Sequence, residues 1–150
     1  MSGVASAASK SSCVRSSIDP RRTNQLQKIR ELDLSKIVEQ LCLRPEDFGM
    51  GWSDKVAKQW VMWYRRFLEL QVRYGKDVVP PRAVEQVWRR HVINIGDYER
   101  DCRIIFGGFL YYVPPNGRNR EARNEAIQKT IALCQKHFGE VPPELSPDAL

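Results

Sequence analysis

The chain reads as an all-α protein, a compact bundle of five to six helices, and three observations carry that reading. Apolar residues recur at three- and four-residue spacing along most of its length. Glycine and proline fall between those runs rather than within them. The one strand-like run, Gly108 to Val113, has no partner run to pair with and is expected as a short extended strap over the helices.

Residues 1–22 are rich in Ser and Ala with no acid before Asp19, and are expected as a disordered tail. An organelle transit peptide is the alternative, since such leaders share the Ser-rich, acid-poor composition. No apolar core of a secretory signal is present. A single domain is expected over 23–140, followed by a Pro-rich extended tail over 141–150.

Within the domain the pattern turns helical from Thr23. Leu26 and Ile29, then Leu34, Ile37, Val38 and Leu41, keep helical spacing in two helices broken around Asp33–Ser35. Pro45 stops the second, and 46–51 is a loop. Ser53 is a good N-cap for the longest helix, Asp54 to Tyr74, whose row of Val56, Trp60, Trp63 and Phe67 lies beside Ala57, Val61, Tyr64 and Leu68. So wide an apolar arc places this helix in the middle of the bundle. Gly75 ends it, and an extended linker leads to Pro80 and Pro81.

The next stretch organises the rest. Val84, Val87, Trp88, His91 and Val92 share one helical face. Asn94 to Asp97 reads as a tight turn, with Asp97 the expected N-cap of a second helix. That helix carries Tyr98, Asp101, Cys102, Ile105 and Phe106 inward and stops at Gly107–Gly108. The last helix, Glu121 to Phe138, turns Ala122, Ala126, Ile127, Thr130, Ile131, Cys134 and Phe138 inward, and Gly139 closes it.

The run Trp88, His91, Tyr98, Asp101–Cys102, Phe106–Gly107 and Pro114, with Gly51–Trp52–Ser53 and the Tyr64–Leu70 segment upstream, resembles the glycine-rich domain-containing protein-like family. Its pattern is D-x-V-W-H-x-H-I, then Y-x-x-D-C, F-G and H-H-x-P, and the likeness covers about Trp52 to Pro114. What it implies is mainly a fold. Glu85 stands where the pattern has its leading acid, Arg89 where it has the first His, and Tyr111 and Tyr112 where it has the His pair. Only His91 is kept.

Composition narrows the function classes. Hydrophobic content of 42% and charged content of 28% suit an ordinary globular chain, and no run nears the roughly 18 apolar residues of a membrane span. A net charge of +6 favours anionic partners, nucleic acid among them. Cysteines at 13, 42, 102 and 134 lack the close pairing of a zinc site and read as thiols of a reducing, cytoplasmic setting. Phosphate-binding Gly loops, G-x-S-x-G and H-E-x-x-H are missing.

Two chemistries remain to weigh at the His91 hairpin. His91, Asp101 and Cys102 are the residue types of a thiol nucleophile with base and orienting acid, but adjacent helical residues diverge by about 100°, so both cannot easily serve one imidazole. The resembling family's four histidines would make a ligand supply for Zn²⁺ or Fe²⁺; here arginine and two tyrosines replace three of them, and guanidinium repels cations. No catalytic residue, metal or cofactor is therefore assigned. The expected pocket comprises Glu85, Trp88, Arg89, His91, Tyr98, Asp101, Cys102, Tyr111 and Tyr112. Arg89 is expected to bridge to Asp101 or Glu85, with Tyr111 and Tyr112 filling the remainder. The leading expectation is a non-enzymatic interaction or scaffold module with a protein partner. Its expected surface is Lys58, Arg65, Arg66 and Arg73 on the long helix with Arg118, Arg120 and Arg123. A nucleic-acid-associated protein using the same patches, and a metal or thiol enzyme centred on His91 and Cys102, are the alternatives.

Overall fold

A computed structural model describes residues 19–75, 78–111 and 120–145. The described residues form six α-helices and no strand: α1 (Pro20–Arg30), α2 (Ser35–Cys42), α3 (Asp54–Tyr74), α4 (Arg82–Ile93), α5 (Ile95–Phe106) and α6 (Arg120–Phe138). Short 3₁₀ turns sit at Pro45–Asp47 and Pro143–Leu145. None of these helices is long and apolar enough to cross a membrane.

The central position of α3 follows from its sequence. Ser53 accepts the Val56 amide as an N-cap, and Trp60, Trp63, Tyr64, Phe67 and Leu68 are all buried. A helix with so wide an apolar arc must be covered on several sides, and α1, α2 and α4 pack against it. α5 then lies against α1 and α4. One core joins Ile29, Leu41, Tyr64, Val87, Tyr98 and Cys134.

Three boundaries and one buried face differ from the sequence reading. α1 begins at Pro20, not at Thr23, because Asp19 accepts the Arg21 amide as an N-cap and Pro20 takes the first position, where an N–H is not needed. Residues 20–22 thus belong to the helix, with Asp19 as its cap, rather than to a tail; 1–18 lie outside the described residues. Asp97 does not cap α5. The chain turns on Asn94 alone, whose side chain is committed to Gln40 and to the Arg90 carbonyl, so α5 starts at Ile95. Residues 141–145 are not an extended tail: Pro142 is fully buried, and Glu144 accepts the Ala83 amide at the uncapped start of α4. On α6 only Thr130 and Cys134 are buried, and Ala122, expected inward, is exposed.

Candidate functional site

Three helices meet at His91. It lies in the last turn of α4, one turn before the chain reverses into α5, and is 2% exposed. From α5, about two turns past that reversal, Asp101 Oδ2 lies 2.8 Å from His91 Nε2. From the middle of α3, Tyr64 Oη lies 2.7 Å from His91 Nδ1. A carboxylate can only accept, so Nε2 carries the proton; Nδ1 then accepts from the Tyr64 hydroxyl. The three side chains form one directed chain of hydrogen bonds across the core.

The surrounding rings seal it. The His91 ring meets Tyr64 and Tyr98 edge-on, at centroid distances of 5.7 and 4.9 Å. Tyr98 Oη accepts from Trp88 Nε1 at 3.0 Å and donates to the Leu110 carbonyl, which pins the start of the strap. Phe109 stacks edge-on against Tyr98, and Phe67 lies 5.1 Å from Trp88. Asp101 Oδ1 faces Arg100 Nη2 at 3.3 Å, so the carboxylate is shared between an imidazole and a guanidinium. Among the described residues no buried side-chain nitrogen or oxygen lacks a partner.

Burial sets the electrostatics. It holds the His91 imidazole below its ordinary pKa against the opposing pull of Asp101, which favours the neutral ring. Burial also pushes the Tyr64 and Tyr98 hydroxyls upward, so both stay protonated as donors. The Cys102 thiol is raised by the same cause, and burial takes Cys134 to about 11. Thiols in that state are poor nucleophiles at neutral pH. Chemically, the arrangement can hold a proton in place and lock three helices in register; its tyrosine, unlike a catalytic hydroxyl, faces protein on all sides.

Of the expected pocket, Trp88, His91, Tyr98, Asp101 and Cys102 come together and are buried. Glu85 is half-buried in the first turn of α4. Arg89 is exposed, because a residue two positions from His91 points to the far side of the helix. The arginine that reaches Asp101 is Arg100, and the tyrosines that close the site are Tyr64 and Tyr98. Tyr111 is exposed and its ring meets Phe109, 4.9 Å away; Tyr112 lies outside the described residues. Its spacing in the sequence marks Tyr64 only as a core residue of the long helix. The signal that could have found it is its hydroxyl, which a buried tyrosine must satisfy.

Part of the expected basic surface is used within the molecule. Arg65 donates to the Ile29 carbonyl, and Arg66 pairs with Glu140 while lying over the Trp63 and Phe138 rings. Lys58 pairs with Asp54, and Arg73 is half-buried in the last turn of α3. Arg120 and Arg123 are exposed; Arg118 lies outside the described residues. No group of three or more His, Cys, Asp or Glu able to hold a metal occurs among the described residues. The chain matches no protein-family model, no curated protein and no solved structure.

Proposed function

We propose that this chain is a non-enzymatic helical interaction module, a degenerate member of the glycine-rich domain-containing protein-like family in which a polar pocket is filled by the protein's own side chains. The observation that carries this reading is the use of both His91 nitrogens, one by Tyr64 and one by Asp101, inside a ring-lined core. An imidazole so engaged has no lone pair left for a metal and no open side for a substrate. The hairpin then acts as a clasp: it fixes α3, α4 and α5 and leaves the outer faces to meet a protein partner. The internal engagement of Arg65 and Arg66 weakens the nucleic-acid alternative, which needs those cations free for phosphates.

Thermal unfolding with EDTA and with added Zn²⁺ tests the reading. The midpoint is expected to stay within about 1 °C of the untreated chain in both conditions, since a ligand stabilises only in proportion to its binding to the folded state. A rise of several degrees with Zn²⁺, lost in His91→Ala, overturns it.

A further inference from the structure

α6 is fastened to the molecule unlike any other helix. α1 to α5 pack on one another along their lengths, whereas α6 packs on none of them to that extent. Of the buried apolar residues that make up the core among the described residues, α6 supplies Cys134 alone. Residues 120–125 are exposed, and Leu133, Phe138 and Val141 are only partly covered. Buried apolar area is what makes a contact hard to open, and here there is little of it.

A row of polar and ring-edge contacts holds the segment from Thr130 to Glu144 down. Thr130 Oγ1 accepts the Val79 amide at 3.1 Å, Glu144 accepts the Ala83 amide at 3.2 Å, and the Tyr74 hydroxyl lies 2.6 Å from His137 Nε2. The Arg66 guanidinium pairs with Glu140 and lies 4.6 Å from the Trp63 ring centre and 5.0 Å from that of Phe138. The Glu140 side chain is 55% exposed, and an ion pair that open to water contributes little. Each polar group in the row finds water in its partner's place once the segment lifts, which keeps the cost of parting low. Underneath, Trp63, Phe67, Leu70 and Val84 face Cys134 and Pro142 across a void of about 10 Å³, room for no more than one water.

The chain ahead of α6 is anchored separately. Tyr98 donates to the Leu110 carbonyl, and its ring meets Phe109. The Tyr64–His91–Asp101 chain lies ahead of that anchor in sequence and draws none of its hydrogen bonds from α6. We propose that α6 with residues 139–145 is a strap that opens as one unit from a body formed by α1 to α5, and that its closure covers an apolar trough on α3 and α4. Closed, the strap hides the trough. Open, it presents Trp63, Phe67, Leu70 and Val84 to solvent and frees Arg66 at the edge. The device is separate from the His91 clasp and does not depend on that reading.

Cys134 reports on the strap and Cys102 on the body. Both thiols are buried, and burial lifts Cys134 to about 11, so neither reacts until its surroundings open. The full chain is treated with iodoacetamide at about pH 8 without denaturant, and the labelled positions are mapped by peptide mass spectrometry. Cys134 is expected to react at least about tenfold faster than Cys102, and at least about tenfold slower than in the urea-unfolded chain. Two variants separate strap from body. Thr130→Val strands the Val79 amide only in the closed strap and is expected to speed Cys134 by about tenfold. Ile29→Val trims the core on α1, which packs on α3 and α5. It is expected to speed Cys102 about three- to tenfold and to leave Cys134 within about twofold of its wild-type rate, because strap opening keeps that core intact. Amide hydrogen exchange of α6 against α3 is expected to follow the same order. Equal rates at the two cysteines, or an equal rise at both in Ile29→Val, overturn the proposal, since α6 then opens only when the whole molecule unfolds. So does a Cys134 that reacts as fast as in the unfolded chain, which places α6 off the body altogether.

Discussion

α3 and α6 are nearly equal in length, 21 and 19 residues, yet they hold the molecule in different ways. Along α3 the apolar residues cover a wide arc, and nine of its residues are buried. α6 buries only Thr130 and Cys134, and residues 120–125 are exposed on every side. What fastens α6 is a set of point contacts near its C-terminal half. Thr130 Oγ1 accepts the Val79 amide, Phe138 meets Trp63 edge-on, Tyr74 bonds His137, and Arg66 reaches Glu140. The contrast teaches that helical spacing alone does not measure burial: a face must also be wide and apolar enough to exclude water.

The sharpest way to break the comparison is to remove a ring from α3. Phe67→Ala empties the space against Trp88 and is expected to lower unfolding free energy by about 3–5 kcal/mol in urea denaturation. Asp101→Ala is expected to cost about 2–4 kcal/mol, because the His91 Nε2–H and the Arg100 guanidinium both lose an acceptor. On α6, Thr130→Val keeps the shape but strands the Val79 amide, and about 1–2 kcal/mol is expected. At the exposed end, Arg123→Ala is expected to change stability by less than about 0.5 kcal/mol.

The pH dependence also separates the His91 site, bonded to α3 through Tyr64, from the α6 clamp. His91 is held below its ordinary pKa of 6.5 in the folded chain, chiefly by burial. The unfolded chain therefore takes up its proton first as pH falls. The contribution of a neutral His91 is complete above pH 6.5, declines as pH drops below it, and levels off beneath the folded value. Burial, with Arg73 and Lys136 nearby, moves His137 the same way, and the Glu69 carboxylate opposes it. Chemical denaturation from pH 7.5 to 4.5 is expected to show falling stability, and His137→Asn is expected to keep most of that loss. If it removes most of it, the weakness lies at the α6 clamp.

Much of this was legible in the residues. Ser53, the Trp60–Trp63–Phe67 row and Gly75 mark α3 at both ends, and the break between Leu32 and Leu34 divides α1 from α2. The hairpin also placed His91 beside Asp101, since each lies on the inward face of its own helix. Illegible were the partners supplied from a distance. Tyr64 is 27 positions from His91, and its hydroxyl has no periodicity of its own. Arg100 reads as a surface neighbour until Asp101 is seen to turn outward by one oxygen. Glu144, 61 positions from Ala83, sits in a Pro-rich stretch whose composition argues for an extended tail, yet its carboxylate accepts the Ala83 amide in the first turn of α4. Phe48 lies in a loop where sequence pattern gives no reason to expect a left-handed phenylalanine.

The central claim is that His91 is a neutral, fully engaged imidazole, closed to ions and substrates. Nitrogen-resolved NMR of the histidine rings, titrated in pH and then with Zn²⁺, reads this directly. The account predicts a His91 ring protonated at Nε2, titrating below 6.5 and unmoved by stoichiometric metal. A ring that titrates normally, or whose Nδ1 or Nε2 shifts on adding Zn²⁺, would contradict it.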